Sequence, residues 1–187
     1  MSILKVARMG NPILRKVARE LTQEEIRSPE VKRLIEDMIE TMHEYGGIGL
    51  AAPQVHHPIQ LAIIEFAEDS ARYPDMGQQS LSVFINPKIT VLDQTEQGFW
   101  EGCLSVPEMR GFVERPCKIR VDYLDRQGQS KSVEAEGFLA TVFQHELDHL
   151  AGKLYIDRLK DPTKLAFHEE YQRYWAIQPD AAPELAD

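Results

Sequence analysis

Apolar residues recur at Val31, Leu34, Ile35, Met38, Ile39 and Met42, three and four positions apart, and so share one face of a helix. Ser28 followed by Pro29 supplies a cap and a first helical residue, and Gly46-Gly47 ends the run. An amphipathic helix is therefore predicted over 28–46. Further along the chain the period shortens. Residues 60–65, 82–86 and 88–92 are short apolar or β-branched runs that predict strands, and the polar stretch 67–80, with Pro74 and Gly77, predicts a surface loop between the first two. Residues 117–124 and 130–136 flank Asp125-Arg126-Gln127-Gly128 and predict a hairpin. Cys117, Ile119 and Val121 alternate with charged residues there, which directs the Cys117 side chain into a core. After Gly137, residues 138–151 read as a helix closed by Gly152, and Asp161-Pro162-Thr163 opens a last helix running to about Trp175.

The order helix, strands, hairpin, helix, helix lacks regular strand–helix alternation. It predicts an α+β single domain with antiparallel strands packed around a central helix, plus a C-terminal helix. A chain of 187 residues, 43% hydrophobic and 27% charged, suits one core rather than two. Residues 1–176 are expected to form that domain and 177–187, rich in Ala, Pro and acidic groups, a mobile tail. The net charge of -9 argues against a general nucleic-acid binder, because phosphate contacts need clustered Lys and Arg. No run of about 18 apolar residues occurs, and Met1-Ser2-Ile3-Leu4-Lys5 opens no signal-peptide core, so a cytoplasmic location away from membranes is expected. Two cysteines, Cys103 and Cys117, make a poor disulfide framework and point to a reducing compartment.

The strongest chemical statement is His145-Glu146-Leu147-Asp148-His149 inside the predicted 138–151 helix. Residues four apart lie one above the other, so both imidazoles can reach one metal ion, with Glu146 beside it as a proton carrier for hydrolysis of a carbonyl. A hydrolytic site of this kind takes a third protein ligand. The extended pattern that ends in a third His fails here, because Tyr155 stands at that position. Cys103, in Glu101-Gly102-Cys103-Leu104-Ser105, remains as a soft anionic ligand. Gly47-Ile48-Gly49-Leu50-Ala51-Ala52-Pro53-Gln54 lacks the ending of a phosphate loop and reads as a turn or as backbone that approaches a ligand closely.

Those three strings, G-x-G-x-A-A-x-Q at 47–54, E-G-C-x-S at 101–105 and Q-H-E-x-D-H at 144–149, resemble the motifs of the peptide deformylase family and stand in the same order. With Gly10-Asn11-Pro12-Ile13-Leu14-Arg15 the resemblance covers about residues 3–160. It implies metal ligands Cys103, His145 and His149, Glu146 as general base and then acid, and the Gln54 amide and Leu104 backbone N–H as oxyanion donors. It implies that Gly49 lies along the bound peptide through its backbone, and that Ile48, Phe99, Val142 and Phe138 wall the methionine pocket. Glu101 is expected to pair with Arg115, and Asp148 to orient a ligating His. The implied cofactor is one divalent ion, Fe²⁺ in the cell, with Zn²⁺, Ni²⁺ or Co²⁺ able to occupy purified protein. The implied partners are nascent N-formylmethionyl peptides near the ribosome. Family members that dock there use a basic C-terminal helix, which His168-Glu169-Glu170 does not match. Two other readings of the same residues are a zincin-like peptidase and a non-enzymatic metal-binding module.

Overall fold

A computed structural model of the chain describes residues 2–66 and 79–176. The tail lies outside the described residues, as does the predicted 67–80 loop apart from Gln79 and Ser80, which already belong to a strand. Two short pieces that hydrophobic periodicity did not reveal open the fold. Asn11 caps a 3-10 turn at Pro12–Arg15, and α1 (Gln23–Arg27) starts on a reciprocal capping box in which Thr22 and Glu25 bond each other's backbone N–H. The amphipathic stripe forms α2 (Pro29–Glu44), with the Ser28 hydroxyl accepting from the Val31 N–H and Gly46 in the left-handed region just beyond the end.

Among the described residues six strands follow: β1 (Gly49–Ala51), β2 (Leu61–Phe66), β3 (Gln79–Cys103), β4 (Val106–Leu124), β5 (Ser130–Glu136) and β6 (Leu165–Phe167). They form one antiparallel sheet in the order β1-β2-β3-β4-β5, and β6 adds to β4. The run 61–64 has no exposed surface because the sheet is covered on both sides. Leu61 and Ile63 join α2, whereas Ala62 and Ile64 join α3 (Gly137–Leu150). Each large apolar side chain fully buried in this way, such as Phe84 or Phe143, is worth about 1.5–3 kcal/mol relative to exposure. The expected architecture, strands around a central helix, is thus present.

Four local expectations are corrected. The predicted strands 82–86 and 88–92 are parts of one long β3, joined across a register shift between Ile85 and Lys88. Its partner β4 begins at Val106, well before the predicted 117–124 strand. The predicted 161–175 helix is broken into a 3-10 turn at Pro162–Lys164, strand β6, and a short α4 (His168–Tyr174), because Leu165–Phe167 hydrogen-bonds along Met109, Arg110 and Gly111 of β4. Cys117 is only half buried, since β3 changes register around Asp93 and leaves that stretch of β4 out of line with the core. Burial and the Asp93 carboxylate raise its thiol pKa. Both cysteines are free thiols.

A candidate metal centre on the buried helix

Helix α3 meets β1, β2, β3, β4 and β5, so even its polar face is enclosed. Gln144, His145, Glu146, Asp148 and His149 are all buried, and charges in such a place need partners. Glu101, near the end of β3, accepts from Arg115 Nε at 2.6 Å and Nη2 at 3.1 Å, and its Oε2 stands 2.7 Å from His145 Nδ1. Burial alone pushes the Glu101 carboxyl up, but the bonds from His145 and Arg115 outweigh it and hold it below the usual carboxylate range. The Glu101–Arg115 pair expected from the sequence is therefore in place, and it is Glu101 that orients a ligating imidazole. Asp148 instead accepts from Arg115 Nη1 at 2.8 Å and from Arg158 Nη2 at 2.6 Å, and so is linked to Glu101 through Arg115. Arg158 carries no motif, and no sequence signal pointed to it.

With Nδ1 of His145 engaged, the donor atoms of Cys103, His145 and His149 converge within 4.8 Å of one another, Cys103 Sγ lying 3.3 Å from His149 Nε2. Cys103 closes β3 where the chain turns into β4 at Val106. Burial raises its thiol pKa, yet the adjacent imidazoles of His149 and His145 bring it well below the ordinary value, which favours the thiolate a metal requires. One sulfur and two imidazole nitrogens at this spacing fit a tetrahedral divalent ion with a position left for a small molecule.

Around that cluster stand the other expected residues. Glu146 is pushed up to about 7 by burial, against the lowering effect of the two imidazoles, and its Oε2 has no hydrogen-bond partner among the described residues. The carboxylate packs against the backbone of Gly49, where an added Cβ would sit 2.4 Å from Glu146 Oε1. Gln54 is buried and fixed: Oε1 accepts from the Ala51 N–H at 2.8 Å, so Nε2 points at Cys103 Sγ, 3.5 Å away, and at Ser105 Oγ, 3.2 Å away. A cleft of about 770 Å³ opens over these groups, lined by Gly47, Ile48, Gly49, Gln54, Leu104 and Glu146 among others. From it a side pocket of about 60 Å³ runs between Ile48, Phe138 and Val142, three of the four expected pocket walls. The fourth, Phe99, does not line it; its ring packs behind Phe138 at 5.4 Å between centroids. Trp100 and Thr141 complete the wall instead. Thr141, four positions before His145 on the ligand-bearing helix face, was within reach of the spacing argument.

A His-Glu pair and a second His on one buried helix turn, completed by a thiolate and facing an open cleft, define a metal-dependent hydrolase. The family profile described as "Polypeptide deformylase" matches residues 3–165. The chain belongs to the peptide deformylase family, and peptide deformylase is its activity. It is 44% identical over 170 residues to a peptide deformylase of Leptospira biflexa serovar Patoc, spanning 91% of this chain and 95% of that one. A peptide deformylase of Psychrobacter cryohalolentis is 38% identical over 187 residues, 100% of this chain and 96% of its own. Among solved structures, the Met-Ala-Ser-bound class I type b peptide deformylase from Acinetobacter baumannii matches with a TM-score of 0.81 at 38% identity, covering 85% of this chain and 100% of that one. No helix among the described residues is long and apolar enough to cross a membrane.

Proposed function

We propose that the chain removes the formyl group from N-formylmethionine at the start of nascent peptides, releasing formate and a free amino terminus. The observation that carries this reading is the placement of Glu146, a buried carboxyl pushed up to about 7, in the cleft beside the Cys103, His145 and His149 donors. Those three residues would hold a divalent ion, Fe²⁺ in the cell and Zn²⁺, Ni²⁺ or Co²⁺ as substitutes in purified protein, which would supply Lewis-acid polarisation and acidify water. Glu146 takes the proton from the attacking water and returns it to the departing amine, a double duty suited to a pKa near neutrality. The Gln54 Nε2 group, held by the Ala51 contact, and the Leu104 backbone N–H donate to the oxygen on which charge develops. β1 is an edge strand of the sheet, and the peptide backbone adds along Gly49 while the methionine side chain enters between Ile48, Phe138 and Val142.

Residues 1–176 form the catalytic domain, and the peptides are met in the cytoplasm as they leave the ribosome. In α4, Glu169 and Glu170 stand against Arg173 alone, which does not suit docking on ribosomal RNA. The test is formate release from formyl-Met-Ala-Ser by protein prepared without oxygen and supplied with Fe²⁺. Glu146→Ala and Cys103→Ala each reduce it at least ~10²-fold, and truncation after Ala176 leaves kcat/KM at the full-length value. Absence of formate from the metal-loaded wild type overturns the reading.

A further inference from the structure

Trp100 has two sets of neighbours that the reaction does not explain. On one side it closes the 60 Å³ side pocket with Ile48, Phe138, Thr141 and Val142. On the other it is enclosed by aromatic rings: Phe112, its partner across the β3–β4 ladder, at 5.9 Å between centroids, Tyr171 of α4 at 5.1 Å, and Trp175 just beyond α4 at 5.3 Å. Gly98, two residues earlier on the same face of β3, makes room for this arrangement, since a Cβ there would lie 2.2 Å from Phe112 Cζ. The C-terminal segment is brought to the spot by β6, which pairs with Met109–Gly111 and runs directly into α4. α4 buries none of its own residues fully, so its seven residues contribute little core; it lies against β4 and β6, and Tyr171 together with the following Trp175 reaches Trp100.

We propose that Trp100 is a specificity-determining residue for the side chain at the first substrate position, and that Tyr171 and Trp175 are positioning residues that hold its ring against the pocket. This rests on the side pocket being the methionine site. A slot of this size accepts an unbranched, flexible side chain, and its selectivity depends on each wall staying where it is. Loosening Trp100 lets the pocket widen toward α4 and admit branched or aromatic groups.

The chain has only two tryptophans, Trp100 and Trp175, so the proposal has an optical readout as well as a kinetic one. Kinetics use formyl-X-Ala-Ser with X as Met, norleucine, Leu or Phe. In Trp100→Ala and in Tyr171→Ala/Trp175→Ala the Met-to-Phe ratio of kcat/KM falls about tenfold, mainly through KM. In Tyr171→Phe/Trp175→Phe the ratio recovers, and Tyr174→Ala, an exposed change on the same helix, keeps the wild-type ratio. In Trp175→Phe, Trp100 is the sole indole, and saturating Met-Ala-Ser shifts its emission under excitation that tyrosine does not absorb. A wild-type ratio in the double alanine variant overturns the bracing role. An equal loss on every substrate, or unaltered Trp100 emission at Met-Ala-Ser concentrations that inhibit, overturns the proposal as a whole. The emission test stands even where an alanine variant does not fold. Wild-type protein that releases no formate and is not inhibited by Met-Ala-Ser identifies failure of the methionine-site reading instead.

Discussion

Gly49 is the residue at which backbone and chemistry come nearest. Nothing larger than hydrogen fits between its Cα and the Glu146 carboxylate, so a side chain there turns that carboxylate, the proposed general base, rather than the strand. Gly49→Ala is expected to retain the metal and the melting temperature while kcat/KM falls about 10²-fold, the scale of a misplacement near 1 Å; metal analysis and steady-state kinetics on one preparation check both. Arg115 has the opposite character. Its guanidinium joins Glu101 and Asp148 where all three side chains are almost wholly enclosed, and its removal takes the shared cation from two carboxylates, leaving Glu101 to His145 and Asp148 to Arg158. Arg115→Met should lose about 3–5 kcal/mol of stability in urea melts, and adding Glu101→Gln should return part of it. A result near zero for the single variant would mean that the network is hydrated.

At the scale of elements, α1 gives a pH dependence of known sign. Glu25 is lowered to about 2, first by the hydrogen bond from Arg19 and then by the Thr22 backbone N–H of the capping box. Its folded-state pKa lies below the unfolded carboxylate value of about 4.3, so the stabilisation is whole above that pH and is lost as pH falls through about 2. Glu25→Gln should therefore lower Tm at pH 7, with the difference from wild type closing toward pH 2; a constant difference would exclude the ion pair as its source. α2 was legible in its apolar stripe because that signal is local, whereas the equally local Thr22–Glu25 capping box went unread beside so short a helix. Two of the metal ligands, His145 and His149, were legible for the same reason as α2, by helical spacing, whereas Cys103, far away in sequence, stood out only as a soft anionic candidate and through the resemblance of its motif. The outer arms of β3 and β4 were not. Gly98, Pro107 and Pro116 are residue types that weaken a strand, yet they sit in strands whose pairing is set by each other and by Arg115 reaching Glu101. Asp161-Pro162 likewise has the chemistry of a helix start, with the Asp161 carboxylate accepting from the Thr163 N–H, but after a single 3-10 turn β4 captures Leu165–Phe167 as strand. Contacts of that kind are decided by tertiary partners, which is also why Arg158 and Trp100 went unread.

For the whole molecule, the metal and the fold support one another. A ligand bound only by the folded state adds to its stability, by about 2.7 kcal/mol at a hundredfold excess over Kd. Chelation is thus expected to lower Tm by about 5–10 °C in a chain of this length, and Cys103→Ser should melt alike with and without added ion. The sheet covers α3 from β1 through β5, whereas α4 is held from the outside. In hydrogen–deuterium exchange, amides at 141–149 should open only with global unfolding while those at 168–174 exchange through local fluctuations. A helix that cannot fray cannot release what it carries: the ion has to enter and leave through the cleft, along the same path as the peptide.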